Sequence, residues 1–173
     1  MNRLMVKEEN FEIRLLGARN EAELQDLCER CHEFALLTEG QMPGPKAGFD
    51  ILNDLPPGKE VEDKRVFGVY DKEQIVGVVE MIKDYKTAGE WIIGLLLIDP
   101  SRRGMNLGGA IHDYIKDYVS LNGGYLLRIG VIEENARGLN FWKRLGYKEV
   151  ERKQQTFGKK NHTVIVMNLE ISE

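Results

Sequence analysis

The sequence predicts an α/β fold in which a mixed, mostly antiparallel central sheet of about seven strands is flanked by helices. Three observations lead to this prediction. Short apolar runs with strand periodicity alternate along the chain with segments of helical periodicity. Residues 90–98 form an apolar run that is too short to cross a membrane and is typical of a buried strand. Two pairs of strand-like runs are joined by short polar turns, the pattern of antiparallel hairpins.

The N-terminal part predicts a strand, a helix and a long loop. Residues 11–15 alternate apolar and polar side chains, as a half-buried strand does. From residue 21 the apolar side chains recur at helical spacing, which predicts a helix over residues 21–37. Residues 39–62 hold four of the five prolines, with one short helical turn expected over residues 49–54. A long irregular stretch of this kind is often a binding loop or lid.

The remainder alternates strands and helices, and the length of 173 residues is that of one domain, residues 1–173. The central strand is expected to be buried on both faces. The predicted elements are, in chain order, a hairpin of residues 65–70 and 75–83, strand 90–98, helix 107–122, strand 125–131, helix 136–145 and a hairpin of residues 149–157 and 163–169.

Composition narrows the classes of function. Apolar residues make up 42% and charged residues 30%, which is ordinary for a globular protein. The net charge of −4 favours neither nucleic acid nor an anionic membrane as a partner. No apolar run has the length of a membrane span, and the N-terminus lacks the apolar stretch of a signal peptide. We therefore expect a cytoplasmic protein with no nucleic-acid partner and no membrane partner.

One short motif looks like a redox or metal site. Cys28 and Cys31 match the Cys-x-x-Cys pattern, and His32 follows them. Both cysteines fall on the apolar stripe of the predicted helix, and His112 and His162 are the only other histidines. Core or half-buried thiols without a metal are therefore the expected state.

A glycine-rich turn follows the central strand and leads into a helix. The first N–H groups of a helix have no intrahelical partner and carry partial positive charge, and glycine lets the backbone approach a ligand closely. The turn is a candidate site for a phosphate-bearing ligand, and a purely architectural turn is the alternative. The P-loop and dinucleotide-binding patterns are both absent. Its glycines and arginines are Arg102, Arg103, Gly104, Gly108 and Gly109.

The turn resembles the acyl-CoA loop of the GNAT superfamily of N-acetyltransferases, Gln/Arg-x-x-Gly-x-Gly/Ala. Here it reads Arg103-Gly104-Met105-Asn106-Leu107-Gly108, with Asn106 in place of the first motif glycine. Asparagine tolerates left-handed backbone and caps helices well. A later family motif, Asn-x-x-Ala-x-x-x-Tyr-x-x-x-Gly-Phe, is similar to residues 135–147, where Gly138 replaces the alanine and Trp142 the tyrosine. The order of elements also agrees with the family from residue 11 to residue 169.

The resemblance implies transfer of an acetyl group from acetyl-CoA, without a metal, to a primary amine of a small molecule or a protein. It also implies a backbone N–H near residues 96–98 that faces the thioester oxygen. By analogy with the family, a homodimer is possible. The implied cofactor-binding residues are Leu96, Leu97, Ile98, Arg103, Gly104, Met105, Asn106, Leu107, Gly108, Gly109, Asn135, Phe141 and Trp142.

Two glutamates are candidate catalytic bases. Glu90 begins the central strand, and Glu80 interrupts an apolar strand, where burial would raise its carboxyl pKa. A solvent-facing charge is the alternative for each. Trp142 can donate a hydrogen bond but cannot act as an acid, so no general acid is assigned.

Two further interpretations of function stay open. Residues 39–64 carry six acidic and three basic side chains, which would suit a cationic acceptor. A catalytically impaired acyl-CoA-binding module is the first alternative to an enzyme. The second is an interaction domain of the same fold, in which the loop glycines are only architectural.

Overall fold

The structure is a computed structural model that describes residues 2–171, and the eight strands of that part form one sheet. The strands are β1 (Arg3–Val6), β2 (Glu9–Leu15), β3 (Lys64–Asp71), β4 (Gln74–Ile82), β5 (Glu90–Ile98), β6 (Leu126–Ile132), β7 (Lys148–Phe157) and β8 (Lys160–Glu170). Their order in the sheet is β1-β2-β3-β4-β5-β6-β8-β7. Among these strands, only the β5–β6 pair is parallel. The predicted mixed, mostly antiparallel sheet is confirmed, with eight strands instead of about seven because β1 is too short to give a periodic signal.

Five helices cover the two faces of this sheet. They are α1 (Glu21–Arg30), α2 (His32–Glu39), α3 (Ala47–Asn53), α4 (Leu107–Leu121) and α5 (Ala136–Arg144). Leu24 and Leu27 of α1 pack with Val78 of β4, whereas Ile111 of α4 packs with Val79. Because successive strand residues point to opposite faces, α1 and α4 lie on opposite sides of the sheet.

The prediction of one helix over residues 21–37 is wrong, because the helix is interrupted at Cys31. This residue has φ −93° and ψ 27°, and α2 begins at the next residue. Its thiol lies 3.6 Å from the carbonyl oxygen of Ile98 on β5. Apolar side chains keep helical spacing across the break, so the periodicity gives no sign of it.

The sheet splits between β5 and β6. Residues 90–93 of β5 pair with residues 126–129 of β6, and beyond them the two strands part. Residues 95–98 of β5 then pair only with β4, and residues 130–132 of β6 pair only with β8. We call the space between these two edges the gap.

The split overturns the expectation that the central strand is buried on both faces. Gly94 is exposed, and Leu95 and Leu96 are half-buried. The β4–β5 register also shifts between Glu80 and Met81, which leaves Gly94 without a partner on β4. A run of apolar letters does not reveal that a neighbouring strand departs halfway along.

Both cysteines are buried free thiols, as predicted. Burial raises the pKa of Cys28 to about 11 and also raises the pKa of Cys31. Across residues 2–171, no three histidine, cysteine or carboxylate side chains are grouped as metal ligands would be. None of the helices in the same residues combines the length and apolar character needed to cross a membrane.

Candidate active site

The glycine-rich turn lies at the open end of the gap and is anchored at its start by Asp99. One carboxylate oxygen of this buried residue accepts hydrogen bonds from the Ser101 N–H at 2.8 Å and the Ser101 hydroxyl at 2.6 Å. The other oxygen pairs with the guanidinium of Arg30, which also donates to the Ile75 carbonyl. The turn is thereby tied to both α1 and β4.

Asn106 adopts the left-handed backbone conformation that its sequence position suggested. Its φ is +65° and its ψ is 24°, and α4 begins at Leu107. The asparagine side chain lies over the first turn of α4, where a Cβ on Gly109 would be 2.5 Å from its Oδ1 atom. Gly104 also has positive φ, +78°, and a Cβ there would meet no described neighbour within 4 Å. The backbone of the turn is therefore open on the side of Gly104.

Gly108 marks the point where β5, α4 and α5 meet. A Cβ at this position would lie 2.9 Å from Cε2 of Phe141 and 3.3 Å from Cδ1 of Ile98. Three residues that the sequence assigned to the site are thus brought together.

Backbone groups of β5 face the gap at alternate positions. The Asp99 N–H donates to the Val76 carbonyl of β4 at 2.8 Å. Since the polar groups of successive strand residues point to opposite edges, the N–H groups of Leu96 and Ile98 point away from β4 into the gap. Leu97 has its backbone groups on the β4 side, so it offers none to the gap.

The two arginines of the turn are engaged within the protein. Arg103 donates from Nε to the Ile98 carbonyl at 3.0 Å, and its Nη1 atom lies 3.6 Å from a Glu33 carboxylate oxygen. Arg102 pairs with Asp71 at 2.6 Å. Anion binding at the turn would therefore depend first on its backbone N–H groups and on the N-terminus of α4.

The second motif forms the start of α5 and part of the core. Asn135 caps α5 by accepting the Gly138 N–H at 3.0 Å. A Cβ on Gly138 would be 2.6 Å from Nδ2 of Asn135, which gives a reason for glycine where the family pattern has alanine. Trp142 is buried and packs edge-on against Phe141 and Tyr147, with ring centroids 4.8 and 5.1 Å away. Trp142, which the resemblance assigned to the cofactor site, is part of the hydrophobic core.

His112 is a buried polar residue that the sequence reasoning did not single out. Its Nε2 atom lies 2.9 Å from the Tyr147 hydroxyl, and its buried Nδ1 atom has no hydrogen-bond partner among residues 2–171. Burial lowers its pKa to about 4. The available signal was its position beside Ile111 on the apolar stripe of α4.

Glu80 lies beside the point where the sheet splits. A Cβ on Gly94 would be 3.0 and 3.2 Å from its two carboxylate oxygens, so the carboxylate rests directly against the β5 backbone. Burial raises the pKa of Glu80, and nearby Asp54 raises it further, whereas the Lys64 ammonium at 3.3 Å lowers it. A carboxylate whose pKa is raised in this way is a better proton acceptor than an exposed one.

Glu90 lies at the other, closed end of the gap, opposite Leu126. Its carboxylate is buried, and Oε1 is 3.9 Å from Arg128 Nη1. Arg128 makes a shorter ion pair with Glu151, at 2.7 Å. The structure therefore separates the two candidate bases: Glu80 is next to Gly94, and Glu90 is four residues earlier on β5.

Comparison with protein families gives one match. A family model described as an acetyltransferase (GNAT) domain matches residues 52–169, more than half of the chain. A search of curated protein sequences finds no match.

Solved structures of similar fold include acetyltransferases. An acetyltransferase from Thermus thermophilus superposes with a TM-score of 0.75 at 18% identity, over 96% of this chain and 99% of that one. The ribosomal-protein-S18-alanine N-acetyltransferase from Escherichia coli gives 0.71 at 16%, over 94% and 95%. The PaiA N-acetyltransferase from Thermoplasma acidophilum, in complex with coenzyme A, gives 0.69 at 16%, over 92% and 98%. At sequence identities this low, the similarity shows a shared fold and nothing further about function.

Proposed function

The chain belongs to the GNAT acetyltransferase family, and from this premise we propose that it transfers an acetyl group from acetyl-CoA to a primary amine of a small molecule or a protein. The observation that carries the proposal is the split between β5 and β6, with the Glu80 carboxylate against Gly94 where the strands part. The chain offers unpaired backbone N–H groups of β5 for the acetyl donor and the half-buried Glu80 carboxylate for the amine acceptor.

Acetyl-CoA would supply a thioester, an activated form of the acetyl group. Backbone N–H groups are strong hydrogen-bond donors, and those of Leu96 and Ile98 would donate to a ligand lying in the gap. The N–H groups at the start of α4 would hold the diphosphate, with the helix dipole in their favour. Gly108 lets the side chains of Phe141 and Ile98 pack directly against the first turn of α4, and Gly104 leaves the turn itself open. The residues present therefore fit the ligand.

The chemistry required of the protein is mainly removal of a proton. An alkyl amine is largely protonated at neutral pH and has no free lone pair until it loses a proton. In the proposal Glu80 accepts that proton, and the amine nitrogen then bonds to the acetyl carbon as the carbon–sulfur bond breaks. The sulfur leaves as a thiolate that ends as a thiol, so one proton is released overall for each ammonium acetylated. Trp142 takes no part in proton transfer.

The segment over residues 40–63 is proposed to border the acceptor site. Gln25 of α1 holds it in place by accepting the Gly48 N–H and donating to the Gly44 carbonyl, both at 2.9 Å. Lys64 donates to the Asp54 carbonyl at its other end. The excess of acidic side chains in this segment supports a cationic acceptor.

A thermal melt with acetyl-CoA, CoA and ATP added separately tests donor binding. At about 100 times Kd, one-site binding adds about 2.7 kcal/mol. A domain of this size gains about 2–4 °C per kcal/mol, so we expect a rise of about 5–10 °C with both CoA species and little with ATP. The absence of any rise would overturn the proposal in favour of an interaction domain.

Turnover is then measured as thiol release over a panel of amines, with Glu80→Gln and Glu90→Gln side by side. We expect Glu80→Gln to lower kcat by about 100-fold or more, with the CoA-induced rise in Tm unchanged. Loss of turnover in Glu90→Gln alone would move the base to the closed end of the gap. CoA binding without turnover on any amine would favour the acyl-CoA-binding module.

A further inference from the structure

Lys64 is a deeply buried ammonium next to Glu80. Its side chain is 4% exposed, and its Nζ atom lies 3.3 Å from Oε1 of Glu80. The same atom donates to the Asp54 carbonyl. A charge removed from water is costly unless it is paired and hydrogen-bonded. Lys64 meets both conditions, and its ionic partner is the proposed catalytic base.

The surroundings of Glu80 otherwise disfavour a charged carboxylate. The residue directly opposite it on β3 is Val66, and β5 presents Gly94. The charged groups that face it are Lys64 from β3 and Asp54 from the segment after α3. Burial and Asp54 both favour the protonated form, so within the described part of the chain Lys64 is the one neighbouring charge that favours the carboxylate.

We propose that Lys64 is a positioning residue for catalysis: its ammonium holds the Glu80 side chain against Gly94 in the carboxylate form, ready to take the proton of the acceptor amine. The inference rests on the proposed function, in which Glu80 is the base. It adds that the protonation state of Glu80 is controlled by Lys64 of β3, which lies outside both sequence motifs. Since Lys64 also holds the Asp54 carbonyl, the segment bordering the acceptor site and the base share one anchor.

The first test needs no acceptor. The Glu80 carboxyl carbon is titrated by NMR in the whole protein, its signal assigned by its loss in Glu80→Gln. We expect Lys64→Met to raise the titration midpoint by about one pH unit or more, because it removes the opposite charge. Lys64→Arg keeps the charge and is expected to restore most of the original midpoint. If Lys64→Met does not fold, Lys64→Gln, which can still donate to the Asp54 carbonyl, is titrated in its place with the same expectation.

Lys59→Met is the matched control. Lys59 also tethers this segment, by an ion pair to Asp63 at 3.2 Å and a hydrogen bond to the Asp84 carbonyl at 2.9 Å, and it forms no ion pair with Glu80. We expect its removal to leave the Glu80 midpoint unchanged. An equal change in Lys59→Met would mean that loosening the segment, and not the Lys64 charge, moves the midpoint, and would overturn the inference.

The second test is the pH profile of kcat/KM. The acid limb of Lys64→Met is expected to move upward by the same interval as the NMR midpoint. Turnover below the new midpoint should then fall about tenfold for each pH unit by which the midpoint has moved. An unchanged midpoint in the folded variant overturns the role of Lys64, whatever happens to turnover. A raised midpoint in a protein whose Glu80→Gln variant keeps full turnover overturns Glu80 as base, and thereby the proposed chemistry.

Discussion

Glu80 and Gly94 are far apart in the sequence and are brought into contact only by the register of β4 and β5. The register shift leaves Gly94 unpaired, and the missing side chain gives the Glu80 carboxylate its place against the backbone. Sequence reasoning could identify Glu80 as a carboxylate in an apolar strand. It could not rank Glu80 above Glu90, because their distances from the split depend on the pairing of β5 with β6.

Gly94→Ala tests the fit between these two residues. The added methyl would lie about 3 Å from both carboxylate oxygens and would push the carboxylate away. We expect kcat to fall by about 10- to 100-fold, since small displacements of a catalytic group have effects of that size. Gly17→Ala is the control, because a Cβ there meets no described atom within 4 Å. Unchanged kcat in Gly94→Ala would show that the carboxylate need not rest on β5.

His112 makes the stability of the fold depend on pH. Burial holds its pKa at about 4 in the folded protein, against about 6.5 in the unfolded chain. As the pH falls, His112 therefore binds a proton first in the unfolded chain. Its contribution to the free energy of unfolding is complete above about pH 6.5 and is lost between about pH 6.5 and 4. The expected loss is up to about 3 kcal/mol.

His112→Phe should flatten this part of the stability curve. Urea unfolding at pH 7 and at pH 4.5 measures the difference for the wild type, for His112→Phe and for His32→Gln, a half-buried control. We expect the pH-dependent loss to shrink only in His112→Phe. An equal loss in all three proteins would place the titrating group elsewhere.

At the scale of elements, the β7–β8 hairpin completes the C-terminal end of α2. The last carbonyl groups of a helix lack intrahelical donors. Here the Lys159 N–H donates to the Glu39 carbonyl at 3.0 Å, and the Nε2 atom of His162 lies 2.7 Å from the Thr38 carbonyl. Gly158 allows this close approach. Residues more than a hundred positions away in the chain thus supply hydrogen-bond partners for the last carbonyl groups of α2.

Gly158→Ala is expected to separate the hairpin from α2. An added Cβ would be 2.8 Å from the Glu39 side chain, and the residue has φ +53°. Gly58→Ala is a matched control, since Gly58 also has positive φ, +79°, with no described neighbour within 4 Å. Both should lose about 1–2 kcal/mol from backbone strain, and Gly158→Ala about 1–3 kcal/mol more from overpacking. Equal Tm values for the two variants would contradict the docking role of Gly158.

Most elements could be predicted from periodicity, because burial of one face repeats every two or 3.6 residues. The glycine-rich turn could be predicted as well, since its geometry depends on local residue types such as Asn106. The directions of long side chains could not. The position of Arg103 in the glycine-rich turn suggests that it binds an anion, but its guanidinium donates a hydrogen bond to the Ile98 carbonyl. Lys64 carries no sequence signal, because its importance arises from a neighbour on another strand.

At the scale of the whole molecule, the split between β5 and β6 gives neighbouring N–H groups of β5 different access to solvent. The N–H groups of Leu96 and Ile98 face the gap, and that of Leu97 faces β4. Amide exchange followed by NMR should therefore be fast at Leu96 and Ile98 in the free protein and at least about tenfold slower with saturating CoA. Leu97 should be protected in both states. Equal slowing across all three residues would indicate general stabilisation and not a ligand in the gap.

The four-residue ladder between residues 90–93 and 126–129 fixes the angle at which β5 and β6 diverge. Its packing is set at the closed end, where Trp91 is 1% exposed and Gly124 leaves room for the indole, 2.9 Å from the position of its missing Cβ. A small change in this angle moves the far ends of the two strands by a larger distance. A substitution at Trp91 or Gly124 would therefore alter the width of the gap without changing any residue of the glycine-rich turn or of the β5 segment that faces the gap.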